Sequence, residues 1–316
     1  MHETHDPPWF WHFAFAYRGT ATPHVLPRVF AFSAIAAVVT VAHRFLPVLA
    51  IPVGPIEVSG AALGLILILR TNAGYERWWE GRKLWGGIVN QCRNLAIAGL
   101  TYGPGEPSWR QALVRWTAAM PHAIRCSLRG ERDIPEAVEL LGDEVARDVA
   151  RARHMPSFAA WKLAELLGEG RRAPDGFDGF GFLQADKERA LLIDLAGGCE
   201  RILKTPLAYP YAVAIGRFIF VYLVLVPFGL LETAGWATPF VTLFVSAPIL
   251  VLDHIGTQLQ NPFSKKSLGH LPLDEISAGI QADVFAILEQ VRCGAATCGN
   301  SPAVAEGTCA LPDSTR

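Results

Sequence analysis

The stretch Ser59–Gly86, SGAALGLILILRTNAGYERWWEGRKLWG, constrains the fold more than any other part of the chain. It begins as an apolar run that meets no charge until Arg70. It then gathers Glu76, Arg77, Trp78, Trp79, Glu80, Arg82, Lys83 and Trp85 within a short span. An uncharged helix passing into a belt of Trp, Arg and Lys is the pattern of a chain leaving a bilayer. Indole rings settle at headgroup depth and basic side chains favour the cytoplasmic side. Between Ala61 and Trp85 only Gly64, Gly74 and Gly81 weaken a helix, so one long helix is predicted to run through both environments. Glu57, Ala61, Leu65 and Leu69 recur at i, i+4 spacing and share a face. Copies of this helix around an axis would stack apolar rings of Leu65 and Leu69 under a carboxylate ring of Glu57, the parts of a simple ion pore. The same spacing equally suits a core or lipid-facing stripe.

Three further apolar segments frame this one. Val29–Ala50 is continuous until His43 and Arg44, which fall near the far interface where Arg can snorkel. Pro52, Gly54 and Pro55 end the first helix and start the second. The second is shorter than the ~20 residues a lipid-exposed span needs. Ser59, Gly60, Ala61, Ala62 and Gly64 suit it instead to close shielding by neighbours. Ala212–Leu231 and Ala234–Leu252 are the third and fourth segments. Arg217, inside the third, either faces a carboxylate in the bundle, Glu57 or Asp253, or snorkels to the nearby interface. The links between paired segments hold no Lys or Arg except Arg44. The basic residues collect in the N-terminal arm, in 77–204 and beyond Leu252. By the positive-inside rule, four spans leave both termini and the large middle region cytoplasmic.

Composition agrees: 51% hydrophobic, 18% charged and a mean hydropathy of +0.26. That is too apolar for an ordinary soluble domain and too charged for a chain wholly in lipid. A net charge of −1 argues against a nucleic-acid partner. The six cysteines, at 92, 126, 199, 293, 298 and 309, form no CxxC and read as reduced thiols rather than a disulfide framework or metal site. Met1–Tyr17 lacks the basic start and cleavage site of a signal peptide. Its Trp9, Phe10, Trp11, Phe13, Phe15 and Tyr17 read as an interfacial segment, and His2, His5 and His12 as loosely ordered rather than metal-binding. No GxSxG, HExxH, P-loop or strand-linked GxGxxG occurs, and His122 and His254 stand alone, so neither catalysis nor a cofactor is expected.

The rest of the chain is helical in pattern, at Glu80–Tyr102, Pro107–Leu128, Asp133–Arg151, Phe158–Leu167, Phe182–Leu203 and Leu271–Arg292. No strand alternation appears. The expected fold is all-α, with four transmembrane helices continuing into a cytoplasmic helical bundle. The expected division is 1–28 an interfacial arm, 29–76 the first two spans, 77–204 a cytoplasmic region, 205–258 the last two spans, 259–292 a cytoplasmic helical tail and 293–316 a disordered end.

The segment RTNAGYERWWEGRKLWG resembles the signature of the bestrophin family in its bacterial branch. Arg70, Asn72, Tyr75, Arg77, Trp78, Trp79, Glu80, Arg82, Trp85 and Gly86 carry the likeness. CERILKTPLAY at Cys199–Tyr209 and NPF at Asn261–Phe263 are weaker echoes. The resemblance implies a homopentameric ion channel in the bacterial inner membrane, with the lipid bilayer and monovalent ions as its partners and the second helix lining the pore. It carries the family's apolar neck onto Ala61, Leu65 and Leu69. Ala61 is smaller than the bulky residue the family places there, which widens the outermost ring. The cytoplasmic aperture falls on Leu183, with Gln184 next. Animal members bind calcium through acidic residues after the NPF-like motif, where this chain has SKKSLGH, so calcium activation is not expected.

Cation conduction is the favoured expectation, with a chloride or other anion channel of the same fold as the alternative. Glu57, Glu76 and Glu80 at the pore mouths favour cations if they face the axis, while animal members conduct anions. Glu76 and Glu80 also fit simple salt bridging on a helix face. The competing class is a membrane-anchored scaffold without transport.

Overall fold

The computed structural model describes residues 20–267 and 269–299, which are helical with no strand among them. The aromatic arm at Trp9–Tyr17, its histidines and the end beyond residue 299 lie outside the described residues. Among the described residues ten α-helices follow in order. They are α1 Thr22–His43, α2 Gly54–Tyr102, α3 Pro107–Arg129, α4 Pro135–Leu141, α5 Asp143–Arg151, α6 Met155–Arg172, α7 Gly179–Lys204, α8 Tyr209–Ala234, α9 Thr238–Gln258 and α10 Leu273–Gly299.

The boundaries follow local chemistry. α1 begins well before Val29, because Pro23 sits in the first turn where its missing N–H costs nothing. It stops at His43 rather than Ala50, because Pro47 holds Leu46 out of helical geometry at φ −134°. Pro55 opens α2, and Glu57 complements the positive end of the helix dipole. The helix expected over Asp133–Arg151 is two, α4 and α5, broken at Gly142, whose φ of +87° suits glycine. The fourth apolar helix starts at Thr238 rather than Ala234, after a turn at Gly235 with φ +51°. α10 runs past Cys293 to Gly299, into the stretch expected to be disordered.

The chain divides into two compact units that do not follow its linear order. One is Met1–Trp85 with Gly197–Pro272, and the other is Gly86–Ala196 with Leu273–Arg316. The C-terminal helix therefore belongs with the middle of the chain.

In the first unit α1, α8, α9 and the N-terminal part of α2 share one core of Val25, Val29, Leu63, Leu67, Ile215, Ile219, Leu223 and Leu250. The helices meet where side chains are small. A Cβ on Gly60 would lie 2.5 Å from the Tyr222 hydroxyl, and one on Gly74 would lie 2.9 Å from the Gly256 carbonyl oxygen. Thr22–His43, Pro47–Tyr102 and Tyr209–Gln258 are long and apolar enough to cross a membrane, and the last of these holds both α8 and α9.

In the second unit α3 is the central helix, packed by α4, α6 and α10, and its residues from Thr117 to Cys126 are all buried. Trp109 is buried and donates to the Leu166 carbonyl at 2.8 Å. A charged seam joins α3, α4 and α10. The Arg125 guanidinium grips Glu136 with two bonds of 2.9 and 3.0 Å and lies 3.0 Å from Asp274. Arg129 reaches the same Asp274 at 2.8 Å, and His122 meets Gln281 at 3.0 Å.

Candidate functional site

α2 has two opposite faces within the first unit. Ile56, Leu63, Leu67, Arg70, Gly74, Gly81 and Trp85 are buried. Val58, Ala61, Ala62, Leu65, Ile68, Leu69, Asn72, Tyr75, Glu76, Trp79, Arg82 and Lys83 are exposed. At about 100° per residue the buried set centres on one side of the helix, and Leu65, Asn72 and Glu76 fall roughly opposite it. Leu65 is 61% exposed and Leu69 54%. The uncovered stripe is apolar from Val58 to Leu69 and mixes polar residues with Tyr75 and Trp79 from Asn72 onward. Ala61, Leu65 and Leu69 therefore lie together on a face that one chain leaves bare. Glu57 is exposed in the first turn of α2.

The three motifs picked out in the sequence converge on the opposite side. Arg77 donates to the carbonyls of Gln260 at 3.2 Å, Thr205 at 2.6 Å and Ile202. These carbonyls lie at the C-terminal ends of α7 and α9, where backbone oxygens lack helical partners and a cation suits the dipole. Glu80 pairs with Arg201 of the CERI segment. Gly81 lets the NPF turn approach, since a Cβ there would lie 3.1 Å from Pro262 and 3.3 Å from the fully buried Phe263. Trp78 donates to the Gly269 carbonyl at 2.7 Å and stacks between Tyr75 and Trp79. Trp85 is fully buried. Asn72 and Arg82 stay on the exposed face, and Gly86 begins the second unit.

Arg70 turns into the bundle and pairs with Asp253, while its second nitrogen donates to the Thr257 hydroxyl at 2.9 Å. Asp253 thus serves Arg70 and not Arg217, which is exposed on α8 with no ion-pair partner among the described residues. Chain direction held the missing signal. α2 and α9 run the same way through the bundle, so Arg70 and Asp253, each closing an apolar run, reach the same end.

The residues expected at a second constriction lie in the second unit. Leu183 is 64% exposed at the start of α7, and with Gln184 it lines a shallow cavity of about 530 Å³ shared by Tyr102, Asp178 and Lys187. Gln184 donates to the buried Glu188 at 2.5 Å.

Fold and site define an all-helical protein built on an apolar bundle of membrane-spanning composition, with one long helix left half uncovered. The chain belongs to the bestrophin family: the model of the bacterial and fungal bestrophin proteins matches residues 1–286. It is similar to a voltage-dependent anion channel-forming protein of Mesorhizobium japonicum, 33% identical over 283 residues that cover 89% of this chain and 90% of that protein. A protein of the same name from Ralstonia nicotianae is 31% identical over 88% of this chain and 92% of its own length. A crystal structure of a bacterial bestrophin homologue from Klebsiella pneumoniae superposes with a TM-score of 0.77 at 23% identity. It covers 83% of this chain and 97% of its own, which is a likeness of fold.

Proposed function

We propose that this chain forms a homopentameric channel that passes small monovalent ions across the bacterial inner membrane without coupling to another reaction. One observation carries the reading: α2 bears a continuous bare stripe opposite its buried face, aliphatic through Leu69 and, below it, polar residues interleaved with Tyr75 and Trp79. Soluble and lipid-facing needs do not both call for such a stripe on one helix, whereas a wet axis with a dry constriction does. Five copies of Leu65 and Leu69 make the narrow neck and Ala61 its wider outer ring. Apolar rings of that kind strip or distort an ion's water shell and close by dewetting. α1, α2, α8 and α9 are the four spans, and the distribution of Lys and Arg supports cytoplasmic termini. Leu183 and Gln184 form the second aperture.

Glu57 and Glu76, exposed and without ion-pair partners among the described residues, support a preference for cations. Glu80 contributes less, because Arg201 balances it. The second reading, an anion channel of the same fold, is favoured by the names of the Mesorhizobium and Ralstonia relatives. Calcium does not open the pore in either reading. The carboxylate of Asp274, one of the few acids after the NPF turn, is held by Arg125 and Arg129, and Lys265 and Lys266 stand where carboxylates would be needed.

Planar-bilayer recording of the purified protein, with the mass of the detergent-solubilised particle, tests this. The expected particle holds five chains and gives unitary currents unchanged by micromolar calcium. Under a KCl gradient a reversal potential near that of potassium supports cation conduction, and one near that of chloride supports the second reading. A monomer without current overturns the channel and leaves a membrane-anchored scaffold.

A further inference from the structure

At the end of the bundle away from the Arg70–Asp253 pair, Thr40 and His43 of α1 and Arg44 just after it face Leu231 of α8 and the turn at Gly235 and Trp236. Together they enclose a cavity of about 280 Å³. The Arg44 guanidinium lies 5.2 Å from the centre of the Trp236 ring and has no carboxylate partner among the described residues, although Glu57 and Glu232 are exposed on neighbouring helices. The His43 Nδ1 is buried and also lacks a partner. Thr40 donates its hydroxyl to the Ala36 carbonyl at 2.7 Å.

Arg44 is the one Lys or Arg in the links joining α1 to α2 and α8 to α9, which the positive-inside rule would otherwise keep free of basic residues. The exposed Arg44 guanidinium, beside a cavity walled by the Trp236 ring, is open to an anion with several acceptor oxygens. Phosphate meets this need, since its oxygens accept from the planar guanidinium fork. Exposed Val38 and Val41 on α1, with Phe240 and Phe244 on α9, supply apolar surface for acyl chains.

We propose that this cavity binds the headgroup phosphate of an anionic phospholipid, with Arg44 as its donor and Trp236 as its wall. The site rests on the membrane-spanning reading above, and the test separates the two. Native mass spectrometry of the full-length protein, taken from vesicles of phosphatidylglycerol in phosphatidylcholine, counts the lipid that stays bound. Arg44→Gln is expected to retain phosphatidylglycerol roughly fivefold more weakly, the loss of one interfacial cation. Trp236→Leu weakens it in the same direction. Arg28→Gln, at the opposite end of α1, leaves it unchanged. Equal losses from Arg44→Gln and Arg28→Gln, or none from Arg44→Gln, overturn the site. Displacement of the bound lipid by inorganic phosphate at similar concentration assigns the cavity to a soluble anion and overturns the lipid. Protein that stays in the aqueous phase and never enters the vesicles overturns the membrane reading instead.

Discussion

Leu65 carries the sharpest consequence of any single side chain. It points away from the core of its own chain, so shortening it leaves no cavity in that chain. Leu65→Ala and Leu69→Ala are therefore expected to keep the unfolding temperature of the wild type while raising ion flux from liposomes, because in the proposed channel a wider and wetter neck lowers the dehydration barrier. Unchanged flux in both variants would remove these leucines from the pore. Arg70 behaves in the opposite way. It is 7% exposed, and its partner Asp253 is 18% exposed. Asp253→Asn leaves a buried guanidinium uncompensated and is expected to cost about 3 kcal/mol, near the low end for a broken buried pair. Replacing both, Arg70→Met with Asp253→Leu, should recover most of that loss, and denaturation midpoints of the three variants measure the coupling. Arg70 was legible as part of a signature, but its partner was not, because spacing along one helix says nothing about which neighbour lies across from it.

At the scale of elements, glycines decide where helices touch. Gly74 and Gly64 both lie in α2, yet only Gly74 meets a backbone: its Cβ would sit 2.9 Å from the Gly256 oxygen, while nothing lies within 4 Å of one on Gly64. Alanine improves helix propensity by about 1 kcal/mol at either site. At Gly74 that gain loses to overpacking of about 1–3 kcal/mol, since a backbone oxygen cannot rotate aside. Gly74→Ala is expected to lower the denaturation midpoint and Gly64→Ala to raise it. A fall for Gly64→Ala would mean that a neighbouring copy covers the position.

The seam between α3, α4 and α10 gives a second test at this scale. Burial drives the pKa of His122 below its ordinary 6.5, and this outweighs the pull of Glu136. Burial alone would raise Glu136, but its bonds to Arg125 hold it below its ordinary 4.5. Both folded-state values are depressed. Each contribution is therefore present above the unfolded value and is lost as pH falls through the folded one. The unit should weaken in two acid steps, one beginning below pH 6.5 and one below pH 4.5. His122→Gln is expected to remove the upper step from a plot of unfolding temperature against pH and keep the lower.

For the whole molecule, helix content, the long α2 and the apolar helices were readable in the chain. They depend on periodicity and on what each short stretch prefers. Apolar run length, Pro and Gly positions and the Trp-rich belt act over a few residues and leave their mark locally. Other features could be settled only in three dimensions. Arg77 caps two helices whose ends lie more than a hundred residues along the chain, Glu80 finds Arg201, and Gly81 makes room for Phe263. α10 joins the middle of the chain rather than forming a tail, and α4 and α5 part at a single glycine. These outcomes turn on which surfaces meet, and a helix of given sequence buries the same stripe against many possible partners. The bare stripe on α2 follows from both sources: the order of residues makes it apolar, and the packing of α1, α8 and α9 leaves it uncovered.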